Sequence, residues 1–93
     1  MPQARKVALV SGGRRGLGAE LVSGFLDRQY GVATLSRTKT AFITNMLRAR
    51  KGRHFHWSQV DGRDHEALRA FVKEAGERLG RIDVLVNNAG IAM

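Results

Sequence analysis

Three glycines, Gly12, Gly16 and Gly18, stand in the stretch SGGRRGLG (11–18), with Arg14 and Arg15 between the first two. Glycines clear side chains from a length of backbone, and arginines offer planar, permanently charged forks to phosphate or carboxylate. Together they describe a backbone cradle for an anion. Two known cradles fail on counting. A nucleoside-triphosphate phosphate loop needs Gly, four residues, Gly, then Lys and a hydroxyl; Gly13 and Gly18 have the spacing, but Ala19 and Glu20 follow. The fingerprint Gly-x-Gly-x-x-Gly fails because Leu21 stands three residues past Gly18. What remains is Gly12-x-x-x-Gly16-x-Gly18, a pattern that plain turn chemistry could also produce.

A cradle of this kind needs a strand leading in and a helix leading out, because the free N–H groups and dipole of a helix start attract anions. The chain supplies both. KVALV (6–10) is a near-continuous apolar run, as a parallel strand covered on both faces requires. Leu17, Leu21, Val22, Phe25 and Leu26 then recur at helical spacing, with Gly31 as the expected stop. VATLS (32–36) predicts a second strand. Thr40 can cap a second helix carrying Phe42, Ile43, Met46 and Leu47 and ending at Gly52. HFHWSQV (54–60) alternates like a third strand, Asp64 caps a third helix with the stripe Leu68, Phe71, Val72, Ala75 and Leu79 closed by Gly80, and IDVLVN (82–87) is the fourth strand. The order βαβαβαβ predicts an α/β fold, a parallel sheet with right-handed crossovers and helices on both faces, in one domain over 1–93.

Composition limits the partners. With 16 Lys and Arg against 8 Asp and Glu the formal charge is +8, which raises phosphorylated ligands, nucleic acid and membrane surfaces. The densest basic run, RARKGR (48–53), lacks interleaved aromatics and reads as a solvated turn, so no nucleic acid is expected. The first apolar run is cut at Ser11 and is too short for a signal segment or a membrane span; with no cysteine in the chain, a cytoplasmic location without membrane contact is the expectation. His54 and His56, two apart on a strand, share a face but lack a placed third ligand, so no metal site is expected. Phe55 and Trp57 alternate with them toward the core.

SGGRRGLG (11–18) together with NNAG (87–90) resembles the short-chain dehydrogenase/reductase family over essentially the whole chain. Ser11 replaces the commoner threonine there. The resemblance implies a Rossmann-type, doubly wound parallel sheet, incomplete here as the amino-terminal portion of the domain, with a dinucleotide held by Ser11, Gly12, Arg14, Arg15, Gly16, Leu17 and Gly18. VDGRD (60–64) is similar to the family segment in which an acidic residue bonds the adenine amino group, which implies that role for Asp61, with Gly62 leaving a looser adenine wall; Asp61 is equally open to a turn-capping reading. Asn88, Ala89 and Gly90 would line the nicotinamide ribose. A β-carbon at Gly16 or Gly18 is expected to obstruct the ligand or the strand packing more than it alters the fold.

In dinucleotide folds the adenosine ribose is read about 20 residues past the glycines, where a carboxylate accepts from the 2′-hydroxyl and arginine accommodates a 2′-phosphate. Here that place is held by Ser36 and Arg37. With Arg15, they are similar to the NADP-preferring members of the family, so NADP(H) is the expected cofactor. The family's tyrosine and lysine four residues apart are missing, since the only tyrosine is Tyr30 and Thr34 follows at that spacing. No catalytic residue is therefore assigned. The expectation is the amino-terminal part of a longer reductase, or a truncated copy, inactive by itself. When intact it would be a homo-oligomer acting on a small-molecule carbonyl or alcohol, possible substrates including those of 3-oxoacyl-carrier-protein reductases. A non-catalytic dinucleotide-binding or sensing protein stays open, as, more remotely, does a basic nucleic-acid-binding module.

Overall fold

The computed structural model describes residues 5–12 and 16–88. Seven elements follow in the expected order: β1 (Val7–Ser11), α1 (Gly16–Asp27), β2 (Gly31–Ser36), α2 (Ala41–Arg50), β3 (Phe55–Gln59), α3 (His65–Leu79) and β4 (Val84–Val86). All strands are parallel, in the order β3-β2-β1-β4, with Leu9 opposite Ala33 on one side and Leu85 on the other. The order places the two most buried strands, β2 and β1, at the centre. Val7 to Val10 and the whole of β2 are buried, as strands with helices on both faces must be.

Alternation along the strands divides the core in two. Leu9, Ala33, Leu35 and Val60 meet Phe71 and Ala75 of α3 on one face. Val10, Val32 and Phe55 meet Val22 and Leu26 of α1 and Ile43 of α2 on the other. Thr40 Oγ1 accepts from Ile43 N–H at 3.4 Å and Asp64 Oδ1 from Ala67 N–H at 3.1 Å, so both predicted N-caps are in place.

The helix stops differ from the expected ones. Gln29, not Gly31, takes the left-handed turn after α1, at φ 68°, while Gln29 N–H and Tyr30 N–H return to the carbonyls of Leu26 and Phe25. These two bonds satisfy the last carbonyls of the helix and release Gly31 to begin β2. After α2 the cap is Lys51 at φ 52°, with Gly52 following it at φ 77°. Two stripe positions also turn outward: Val72 is 43% exposed and Leu17 58%. His54 precedes β3 at φ 63° and is exposed, so it does not share a strand face with His56, whose ring stacks on Phe71 and lies 2.9 Å from Glu74 Oε1.

At its start, β4 is tied to β1 by Asp83. Its N–H donates to the Val7 carbonyl at 2.8 Å and its Oδ2 accepts from Val7 N–H at 2.9 Å. Among the described residues no helix is long and apolar enough to cross a membrane, and no group of three or more His, Cys, Asp or Glu could hold a metal ion.

Candidate nucleotide-binding site

Because the strands are parallel, their carboxyl ends gather Ser11, Ser36, Val60 and Asn87 along one edge of the sheet. In open α/β sheets the binding crevice forms at this edge, where the chain reverses winding between neighbouring strands, here β1 and β4. The ends are hydrogen-bonded together. Gly12, at φ 71°, donates its N–H to the Leu35 carbonyl at 3.0 Å, and Thr34 Oγ1 donates to the Val10 carbonyl at 2.6 Å. Ser11 Oγ donates within 3.4 Å of the Val86 carbonyl and lies 3.2 Å from Asn87 Oδ1. Asn88 Nδ2 donates to the Gly12 carbonyl at 3.2 Å. Ser11 and Asn88 thus join the glycine turn to the end of β4.

The two helix glycines have different surroundings. A β-carbon on Gly18 would overlap the Gly12 carbonyl oxygen and come within 2.7 Å of Asn88 Nδ2. Gly18 is therefore required by the chain's own packing, where a strand end and a helix touch. A β-carbon on Gly16 would meet nothing within 4 Å, although its φ of 59° still favours glycine. Gly16 borders open space at the start of α1, whose first turn carries no acidic residue, while Leu17 stands exposed beside it. These are the features of a helix start that can receive an anion.

At the end of β2, Ser36 is buried and its single hydroxyl donor is committed. It donates to the Thr38 carbonyl at 2.8 Å and accepts from the Trp57 indole N–H at 2.8 Å. Arg37 is exposed, and among the described residues its guanidinium makes no ion pair. Its carbonyl accepts from Gln59 Nε2 at 3.0 Å.

Past β3, Asp61 is gripped by Arg63: Nη2 donates to Oδ2 at 2.8 Å, Nε to Oδ1 at 3.1 Å, and the Arg63 backbone N–H to Oδ1 at 2.9 Å. These side-chain and backbone hydrogen bonds hold the Asp61 carboxyl well below the usual carboxylate range, with the nearby charge of Arg37 adding a smaller effect. Asp61 is thus an ionised turn residue. Gly62 beside it is exposed, with open space where a β-carbon would stand. Arg14, Arg15, Ala89 and Gly90 lie outside the described residues.

Sequence reasoning passed over Trp57, Gln59 and Arg63 as parts of this edge. The signal for the first two was strand register, since Trp57 stands opposite Thr34 and Gln59 opposite Ser36.

A glycine turn between a central parallel strand and the first helix, at the switch point of a β3-β2-β1-β4 sheet, defines a Rossmann-type protein. The family model described as short chain dehydrogenase matches residues 6–93, and the chain belongs to that family. It is 39% identical over 88 residues to 2-dehydro-3-deoxy-D-gluconate 5-dehydrogenase of Pseudoalteromonas atlantica, covering 91% of this chain and 34% of that one. It is 35% identical over 89 residues to a 3-oxoacyl-[acyl-carrier-protein] reductase of Staphylococcus aureus, covering 92% of this chain and 36% of that protein. Among solved structures, carveol dehydrogenase from Mycobacterium avium in complex with NAD superposes with a TM-score of 0.81 at 30% identity, over 95% of this chain and 36% of that one. The chain spans about a third of the length of these curated relatives. The family is one of oxidoreductases that bind a nicotinamide dinucleotide.

Proposed function

We propose that this chain forms the cofactor-binding part of an NADP-dependent oxidoreductase acting between a carbonyl and an alcohol. The observation that carries the reading is the end of β2, where an exposed, unpaired Arg37 stands where an NAD-binding fold has its ribose-bonding carboxylate. Ser36 and Arg37 leave no negative charge there to repel a 2′-phosphate. The carboxylate of Asp61, which feels the charge of Arg37, is already bound to Arg63.

The residues fit a dinucleotide. The open space at Gly16 and the start of α1 would take the pyrophosphate, with Gly12 and Gly18 keeping the turn tight and Leu17 bordering it. Arg37 would take the 2′-phosphate through its planar fork, joined by Arg14 and Arg15 from the glycine turn. One lone pair on Asp61 Oδ2 beyond the Arg63 bond would accept from the adenine amino group, above Gly62. Ser11 and Asn88 would hold the β4 end, with Ala89 and Gly90, near the nicotinamide ribose. When bound, NADP(H) supplies or accepts the hydride.

Tyr30 has no part in this, because it stands at the amino end of β2, the opposite edge, packed on Phe25 with ring centroids 5.0 Å apart. We therefore read these 93 residues as binding without turning over on their own. The first substrates to test are 3-oxoacyl thioesters, since relatives include a 3-oxoacyl-[acyl-carrier-protein] reductase and an acetoacetyl-CoA reductase of Paracoccus denitrificans. A cytoplasmic, homo-oligomeric enzyme with small-molecule substrates and no nucleic-acid or membrane partner completes the proposal.

The test is charge reversal at Arg37. Arg37→Asp should weaken NADPH binding by about 1–3 kcal/mol, the loss of a charge-assisted phosphate contact, and shift preference toward NADH. Undiminished NADPH affinity in that variant removes Arg37 from the site and the NADP assignment with it.

A further inference from the structure

Arg37 leaves the sheet on a short turn, 37–40, that belongs to neither β2 nor α2. A guanidinium on such a turn can read a phosphate only if the backbone beneath it is fixed, because each disordered rotamer or peptide weakens a directed hydrogen bond. The fixing comes from β3. Trp57 Nε1 donates to Ser36 Oγ at 2.8 Å, and Ser36 Oγ passes its own hydrogen to the Thr38 carbonyl at 2.8 Å. Gln59 Nε2 donates to the Arg37 carbonyl at 3.0 Å. The ammonium of Lys39 lies 5.2 Å from the centre of the Trp57 ring, in the range of a cation–π contact. Two successive carbonyls of the turn are therefore held, that of Arg37 directly from β3 and that of Thr38 through the Ser36 hydroxyl that Trp57 bonds.

The same bonds change the part played by Ser36. Its one hydrogen is committed to Thr38 and its oxygen receives the indole N–H, so its hydroxyl is a link in the brace and has no donor left for a ligand. We propose that Trp57 and Gln59 are positioning residues that set the turn bearing Arg37, and thereby the discrimination between a 2′-phosphate and a 2′-hydroxyl; the proposal rests on the NADP reading. Gln59 is exposed and fills no core space, so its bond to the Arg37 carbonyl is its described contact on this edge. Trp57 is half-buried against the α1 and α2 face and serves packing as well.

The experiment compares binding of 2′,5′-ADP and 5′-AMP by calorimetry to the full chain, in wild type, Gln59→Leu, Trp57→Phe and Arg37→Ala. The two probes differ in the 2′-phosphate alone, so their affinity ratio isolates the turn from the rest of the site. Gln59→Leu and Trp57→Phe each remove one donor; each should reduce the ratio about three- to tenfold, with 5′-AMP affinity kept within about twofold. Trp57→Phe keeps the ring for packing and for Lys39, and the exposed Gln59→Leu carries the test should Trp57→Phe unfold. An unchanged ratio in Gln59→Leu, with Arg37→Ala abolishing it, overturns the brace and leaves the NADP reading standing. Equal weakening of both probes overturns the brace as well, since it marks general damage. A wild type that binds both probes equally overturns the NADP reading and the brace together.

Discussion

At Gly18 and Gly16 the same residue type answers two different needs. Their spacing was legible as a cradle, but that the chain's own packing requires Gly18 was not, because that depends on Asn88 and Gly12, which come together only in the folded sheet. Gly18→Ala should lower unfolding free energy by about 1–3 kcal/mol through overpacking against the Gly12 carbonyl. Gly16→Ala should cost about 1–2 kcal/mol from its left-handed backbone, yet lose more nucleotide affinity than stability. Urea denaturation beside nucleotide titration checks both, and a Gly16→Ala protein with wild-type affinity would leave that glycine to the turn alone. Asp61 shows the same limit. Its turn contact became visible only with Arg63 closing on the carboxylate, and the proposed adenine contact uses a lone pair which that grip leaves over. Its folded pKa lies below the unfolded value, so the stabilisation is present above the ordinary carboxylate pKa of about 3.9 and is lost as pH falls through the lower folded value. Side-chain carboxyl NMR should find Asp61 still ionised at about pH 3, where an ordinary aspartate is mostly protonated, and Arg63→Ala should bring its titration up toward the ordinary value.

At the scale of elements, all seven were legible because the apolar runs of the strands and the helical stripes differ in period, and the N-caps Thr40 and Asp64 mark starts chemically. The ends were less so. Glycine is the usual left-handed cap, but Gln29 and Lys51 hold those positions, because two returning backbone hydrogen bonds after α1, and one from Lys51 N–H to the Leu47 carbonyl after α2, offset the strain of a side chain there. Val72 breaks the α3 stripe because α3 covers β2 and β3, leaving its outer flank without a neighbouring element among the described residues. The short β4 depends on a side chain at its start. Asp83→Ala removes the acceptor of Val7 N–H, and should cost about 1–2 kcal/mol and speed hydrogen exchange at Val7, with β2–β3 amides unaffected. Uniform acceleration across the sheet would show that Asp83 acts on the whole fold.

Across the whole molecule, the alternation of elements and the right-handed crossover rule made a parallel sheet legible but not its strand order, which several α/β folds with the same alternation arrange differently; it is the order β3-β2-β1-β4 that gathers the site. Net charge was a poorer guide. A balance of +8 fits nucleic acid as readily as a phosphorylated cofactor, and the proposal of the latter rests on Arg37 at the end of β2, with the Asp61 carboxylate ion-paired to Arg63. The β4 edge is apolar as expected, with Leu85 on the α3 face opposite Leu9 and 70% exposed. On the proposed reading, the carboxyl edge of the sheet would take a dinucleotide bearing a 2′-phosphate. Calorimetric titration of the wild-type chain with NADPH and NADH, side by side in one buffer, tests it most directly. The account predicts that NADPH binds at least about tenfold more tightly, the effect of one charge-assisted phosphate contact; equal affinity, a preference for NADH, or no binding of either would contradict it.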